Sequence, residues 1–180
     1  MATELPEYQN WIESSKVGQA FREIVTDVPR RAAVLAGAMV EDQLKRLIEL
    51  STMPVLEKGF RSLPYQQCAD WAYRFGLIDK QLHNELGVLG TIRNMFAHRW
   101  DDQVDFDTER VAREVKKLKS PVNSLNLPGD SSATAERNRG ILLSSNHMWW
   151  AAAVGGVIAV LNDEGNNARR PAEREPMMAR

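Results

Sequence analysis

The sequence predicts an all-α fold, a bundle of helices in one domain. Three observations carry this expectation. Apolar residues recur at three- and four-residue spacing through most of the chain, the period of a helix with one buried face. Residues that start and stop helices stand between those stretches. No run alternates apolar and polar residues as a half-buried strand does.

The elements follow in order. Pro6 opens a first helix to about Thr26, anchored by Trp11, Val17, Phe21, Ile24 and Val25. Asp27 and Pro29 mark the next start, an N-cap acceptor and then a proline whose missing N–H is tolerated in the first turn. The helix from about Arg30 to Leu50 has Leu35, Ala38, Met39, Leu44, Leu47 and Ile48 as its apolar positions. Glu41 with Lys45, and Asp42 with Arg46, form i,i+4 pairs in the favourable acid-first order. Met53-Pro54 and Leu63-Pro64 bracket a connection, and a third helix from about Tyr65 to Phe75 stops at Gly76. Asp79 caps a long fourth helix to about His98. Asp107 or Thr108 starts a fifth, to about Leu118, whose Lys116, Lys117 and Lys119 suit the negative end of a helix dipole. Pro121 to Ser132 reads as a loop, and a last helix is expected from about Ala133 to Leu161. Residues 1–162 thus form a single helical domain, and 163–180 a polar, disordered tail.

Charge narrows the function. The 180 residues include 23 Lys+Arg and 24 Asp+Glu, for a formal net charge of −1. A stand-alone DNA binder gathers phosphate-neutralising cations on one face. The balance here is also local: residues 93–119 carry seven Lys/Arg and six Asp/Glu, so direct DNA binding is not expected. Cys68 is the sole cysteine, which leaves no intramolecular disulfide and fits a reducing cytoplasm. The acidic N-terminus lacks the apolar core of a secretory signal. The longest apolar run, Trp149 to Leu161, is thirteen residues, short of the roughly 20 that span a bilayer. A cytoplasmic protein without membrane contact is expected. No metal or other cofactor is expected either. His83 and His98 share a helix face but lie four turns apart, too far for one ion. Asp101, Asp102, Asp105 and Asp107 lack the glycine and terminal glutamate of a calcium loop and read as a solvated turn.

The fourth helix carries the chemistry. At 100° per residue, Met95, Val88, Ile92, Phe96, Leu89 and Leu82 share one arc. Arg93, Gly90, His83, Asn94, Gly87 and His98 fall nearly opposite, on a polar face expected to point away from the core. A glycine inside a helix costs about 1 kcal/mol relative to alanine. Two on one face point to close approach by another backbone, that of a second subunit. His83, Gly87 and Gly90 are therefore the close-packing or interface candidates.

The run from Arg93 to His98, Arg-Asn-Met-Phe-Ala-His, resembles the motif of HEPN domains, four-helix bundles that often dimerise. Many of these are metal-independent endoribonucleases. The resemblance implies that Arg93 holds a phosphate through its planar fork and His98 moves a proton near neutral pH. Asn94 would orient His98 or the phosphate, and the ribose 2′-hydroxyl would be the nucleophile.

A wider resemblance runs over about residues 28–120. Arg31 to Leu44 (RAAVLAGAMVEDQL), Asp70 to Ile78 (DWAYRFGLI), Ile92 to His98 (IRNMFAH) and Val104 to Asp107 (VDFD) stand in the order seen in the mannitol operon repressor family. It implies an all-helical bacterial regulator with a HEPN-like up-down core and extra helices, linked by name to sugar-alcohol operons and without an obvious DNA-binding motif. Glu41, Asp42, Arg93, Asn94 and His98 occupy the polar positions of the pattern, with Glu41 and Asp42 as supporting groups beside His98. The chain departs from the family in its Trp-rich late helix and polar tail.

Two rival signals have plainer readings. Trp71-Ala72, Phe75-Gly76-Leu77 and Leu82 imitate a helix-turn-helix, but Glu85 stands where that motif inserts an apolar residue, and Asp79 and Glu85 bring negative charge towards phosphates. A plain turn between bundle helices explains the same residues. Trp149 and Trp150 could stack bases, yet beside three alanines and Val154 at least one belongs to the core. The expected function is that of a homodimeric regulator acting through contact with another regulatory protein. The alternative is a metal-independent ribonuclease acting on RNA through Arg93, Asn94 and His98.

Overall fold

The computed structural model of the chain describes residues 24, 26–51, 62–98, 104–119 and 145–169. Five helices account for most of them: α1 (Pro29–Ser51), α2 (Tyr65–Arg74), α3 (Lys80–His98), α4 (Glu109–Val115) and α5 (Asn146–Arg169). Among the described residues there is no strand, so the fold is an all-α bundle. Most of the expected first helix lies outside the described residues, although Ile24 and Thr26 are helical. Asp101 and Asp102, the 121–132 loop and residues 133–144 also lie outside them.

Local chemistry sets the helix ends. Asp27 accepts the Val28 N–H at 2.8 Å, and Pro29 takes the first helical position of α1. Gly76 ends α2 with φ of 69°, a left-handed conformation that glycine adopts without steric cost. The Asp79 carboxylate accepts the Leu82 N–H at 2.7 Å, which caps α3. At α4 the N-cap position falls on Thr108, one of the two expected residues, without a side-chain capping bond. The turn before it is held by Asp105 Oδ1, which takes the N–H groups of Asp107 at 2.9 Å and Thr108 at 2.6 Å. That use of its oxygen makes Asp105 a turn former. Helix α5 runs to Arg169, past the Leu161 end read from hydropathy, so residues 163–169 of the expected tail are helical.

The helices pack up and down. Helices α2 and α3 form a hairpin in which Tyr65 meets Leu86 and Gly90 while Asp70 meets His83. Helix α1 runs opposite to α3, with Arg30 against Phe96 and Gly37 against Arg93. Helix α5 runs alongside α1 in the same direction, from His147 beside Ile24 to Gly165 beside Leu50. The first half of α1 faces the core with Ala32, Ala33, Ala36 and Gly37, small residues that let neighbouring helices approach closely. Phe96 and Trp150 supply bulk to the same core. In α5 the consecutive residues Trp150 to Val154 are all buried, the pattern of a helix enclosed on every side.

Two expected faces are corrected. Ala38 is exposed, and Leu35 and Met39 are only half-buried, because the inner face of α1 is built from the alanines instead. In α3 the buried arc includes Leu86, Glu85 and Gly90 with the expected Leu82, Leu89, Ile92 and Phe96, while Val88 and Met95 are half-buried. The arc is wide because α3 is packed by α1, α2, α4 and α5.

Candidate functional site

Helix α3 holds the motif, and its neighbours divide the motif's side chains. Asn94 and His98, one turn apart, are exposed and face α4. With Thr91 and Met95 they line an open groove of about 320 Å³, and Arg110 of α4 forms its other wall. Arg93 does not line it. Its stem lies over Gly37 of α1, and Nη2 comes to 4.0 Å from Glu41 Oε2. The side chain is one-third exposed, while its Nε is buried without a hydrogen-bond partner. One residue of separation turns the side chain by about 100°, enough to send Arg93 to α1 and Asn94 to α4.

Glu41 serves two cations, Lys45 Nζ at 2.7 Å and Arg93 across the helix pair. This hydrogen bond raises the Lys45 pKa and keeps the amine charged. Asp42 is exposed and pairs with no cation among the described residues, so the expected Asp42–Arg46 pair does not form. Glu41 is thus tied to Arg93, and neither Glu41 nor Asp42 lines the groove that holds His98.

The three interface candidates separate as well. Gly90 is buried, and a Cβ there would stand 2.8 Å from Cε1 of Tyr65. The close approach that this glycine allows is made by the chain's own α2. The Tyr65 hydroxyl donates to the Leu86 carbonyl at 2.8 Å, which fixes the ring over Gly90. His83 is half-buried, held by Asp70 at 2.8 Å through Nε2 and stacked on Tyr73 with ring centres 4.8 Å apart. The His83 hydrogen bond holds the Asp70 carboxyl below the usual carboxylate range. Gly87 alone has open space above it. The polar face expected to point away from the core is therefore partly an internal face, because α2 covers it.

Other candidates resolve into packing. Glu85, which stands where a helix-turn-helix would insert an apolar residue, is buried and accepts a hydrogen bond from Gln81 at 3.3 Å. Trp150 is buried, whereas Trp149 is half-buried and donates through Nε1 to the Leu118 carbonyl at 3.3 Å. His147 stacks on Phe106 with ring centres 4.5 Å apart, and its Nε2 lies 3.1 Å from the Ile24 carbonyl. Burial pushes the His147 pKa down, the opposite of what a charged ligand site needs. Cys68 is buried and burial raises its pKa, so its thiol is unreactive packing. Among the described residues no three His, Cys, Asp or Glu side chains are placed to hold a metal, and no helix is long and apolar enough to cross a membrane.

A larger cavity of about 620 Å³ lies between the α2–α3 turn and α5, walled by Leu77, Ile78, Val157 and Val160. Asp79 and Glu164 stand at it, and no residue of the Arg93–His98 motif does. Arg110 is the residue that sequence reasoning missed at the motif. No local pattern marks it, since its place beside His98 depends on how α4 returns against α3. Comparison with family models, curated proteins and solved structures finds no match.

Proposed function

We propose that the chain is a cytoplasmic bacterial transcriptional regulator of the mannitol operon repressor type, working through contact with another regulatory protein. The observation that carries this reading is the packing of α3. That helix would be the reading helix of the imitation motif, yet it buries Leu82, Leu86, Leu89, Ile92 and Phe96 and touches four other helices. That packing, with the acidic Asp79 at its start in place of phosphate-neutralising cations, speaks against a groove-reading role and for one exercised through protein contact. What α3 offers outward is a strip of Asn84, Thr91, Asn94 and His98 with the open Gly87 beside it. A polar strip with room above it suits a helix of a second copy or of a partner protein.

The test is transcriptional. In a strain lacking the gene, transcripts of a sugar-alcohol operon should change, and wild-type protein should restore them. Thr91→Arg should fold but fail to restore, because it closes the strip. Unchanged transcripts on deletion would sink the regulator reading. So would a specific shift of promoter DNA by the purified protein alone, as regards its partner dependence.

The second reading is a metal-independent endoribonuclease, and one observation favours it. Asn94 and His98 are exposed in one groove with an arginine, where a phosphate and a mobile proton can meet. His98 would serve as general acid/base for attack by the ribose 2′-hydroxyl, with Asn94 orienting it. Purified protein should then cut single-stranded RNA in the presence of a chelator, and His98→Ala should abolish cutting without altering the helical content.

A further inference from the structure

We infer that the groove between α3 and α4 is a phosphate-binding site whose cation is Arg110, and that its ligand is the backbone of single-stranded RNA. The choice of RNA rests on the ribonuclease reading; the site itself does not.

Several basic side chains of the bundle already have partners. Arg31 pairs with Asp27, Lys45 with Glu41, Arg113 with Glu109 and Lys117 with Glu114, each within one helix or at one of its ends. Arg93 is committed to α1 by its stem over Gly37 and by Glu41. Arg110 differs from all of these. Among the described residues it makes no ion pair and no side-chain hydrogen bond, although it shares its short helix with the paired Arg113 and with Glu109 and Glu114. Arg46, Lys80, Lys116 and Lys119 are also unpaired among the described residues, but of these cations Arg110 alone lines the groove. Asn94 and His98 across the groove are likewise without side-chain partners among the described residues. Three idle donor-bearing side chains, an amide, an imidazole and a guanidinium, therefore face one space.

The lining chemistry selects an anion. No described residue lining the groove is a carboxylate. Thr91 spends its hydroxyl proton on the Gly87 carbonyl at 2.9 Å and forms wall. The half-buried Met95 is the apolar liner, against which a sugar or base edge can rest. A guanidinium fork matches two oxygens of a phosphate, and an amide N–H and an imidazole N–H can serve others. The last-turn carbonyls of α3 would oppose an anion nearby. One of them, that of Phe96, is covered by Arg30 Nε at 3.0 Å. The motif read from sequence assigned the phosphate to Arg93. The packing sends that side chain to the other flank of α3 and puts Arg110 in its place.

The experiment measures binding of a short fluorescein-labelled oligouridylate by fluorescence anisotropy, with chelator present, to the full chain and four variants. Circular dichroism checks that each variant keeps its helices. Arg110→Ala should weaken binding by about tenfold or more, the usual effect of losing a charge-assisted hydrogen bond. Arg110→Lys should recover part of it, and the slope of affinity against salt should fall by about one in Arg110→Ala. Arg113→Ala removes the same charge one turn away and should leave affinity unchanged. Wild-type affinity in Arg110→Ala would overturn the proposal, as would a loss confined to Arg93→Ala. Absence of oligouridylate binding, or a groove that takes inorganic phosphate and uridine monophosphate but not the oligonucleotide, would overturn RNA as the ligand. Cleavage is followed in the same samples. Binding that depends on Arg110 without any cleavage would sink the ribonuclease reading and leave this site standing.

Discussion

The side chain of Arg93 crosses α1 at Gly37, so that a Cβ built on that glycine would stand 2.6 Å from Arg93 Cδ and 2.8 Å from Cγ. An arginine inside a motif that resembles a catalytic one is thereby also one of the contacts that hold α1 against α3. The consequence is measurable. Gly37→Ala gains helix propensity of up to about 1 kcal/mol but must displace the middle of the Arg93 stem, at about 1–3 kcal/mol. Net destabilisation is expected in urea titrations. Adding Arg93→Ala should return part of the loss, since the clash is then gone. A Gly37→Ala protein more stable than wild type would show that the arginine does not lie there.

The two glycines of α3 should answer oppositely to alanine. At Gly90 the Cβ would meet the Tyr65 ring at 2.8 Å, and that ring is tethered by its hydroxyl to Leu86. Gly90→Ala should cost about 1–3 kcal/mol. Nothing lies within 4 Å of a Cβ at Gly87, so Gly87→Ala should stabilise the monomer by up to about 1 kcal/mol. Melting temperatures of the two variants, one falling and one rising, check the pair together. If the Gly87 surface is covered by a second copy, Gly87→Ala should also shift the sedimentation-derived oligomer equilibrium.

His147 makes stability depend on pH on the acid side of neutrality. Burial lowers its pKa from the ordinary 6.5, while the Ile24 carbonyl and Asp107 pull it back up. The unfolded chain therefore binds more protons in the window below pH 6.5, and stability falls as pH drops from that value through the folded pKa. His147→Phe keeps the stacking position on Phe106 and should flatten this limb. The comparison is the slope of unfolding free energy between neutral and mildly acid pH; an unchanged slope would remove His147 as its source.

A second, more acid limb belongs to Asp70. Its pKa is lowered first by the His83 hydrogen bond and then by Gln66, against a desolvation that raises it. The stabilisation is present above the ordinary 3.8 and is lost as pH falls through the lower folded value. The Asp70 side chain is 40% exposed, so the effect is modest. His83→Gln should weaken the acid limb, as seen by chemical shift titration of the Asp70 carboxyl; an unshifted midpoint would argue against the pairing.

How much of this could be read in the chain varies by residue. The ends of α1, α2 and α3 were legible because Pro29, Gly76 and Asp79 act on their own backbone neighbours. The inner face of α1 was not, because Ala32, Ala33 and Ala36 carry little hydrophobicity of their own and become core only when α3 and α5 close over them. The end of α5 was missed for a related reason: residues 163–169 are polar, and their helix continues from an apolar segment rather than from a buried stripe. Asn94 and His98 were legible as neighbours, since four residues on a helix fix that relation. Arg110 beside them was not.

The sequence by itself determined an all-α chain, the positions of its main helix boundaries, and a helix that carries Arg93, Asn94 and His98 within two turns. These are local matters, settled by a 3.6-residue period and by capping groups. Only the tertiary structure decided which neighbour each of those side chains meets. Packing α1 on one flank of α3 gave Arg93 to Gly37 and Glu41, covering by α2 gave Gly90 to Tyr65, and the return of α4 brought Arg110 to the groove of His98. The physical reason is that a helix sets the angle between its own side chains, while the partner on each side is set by the rest of the bundle.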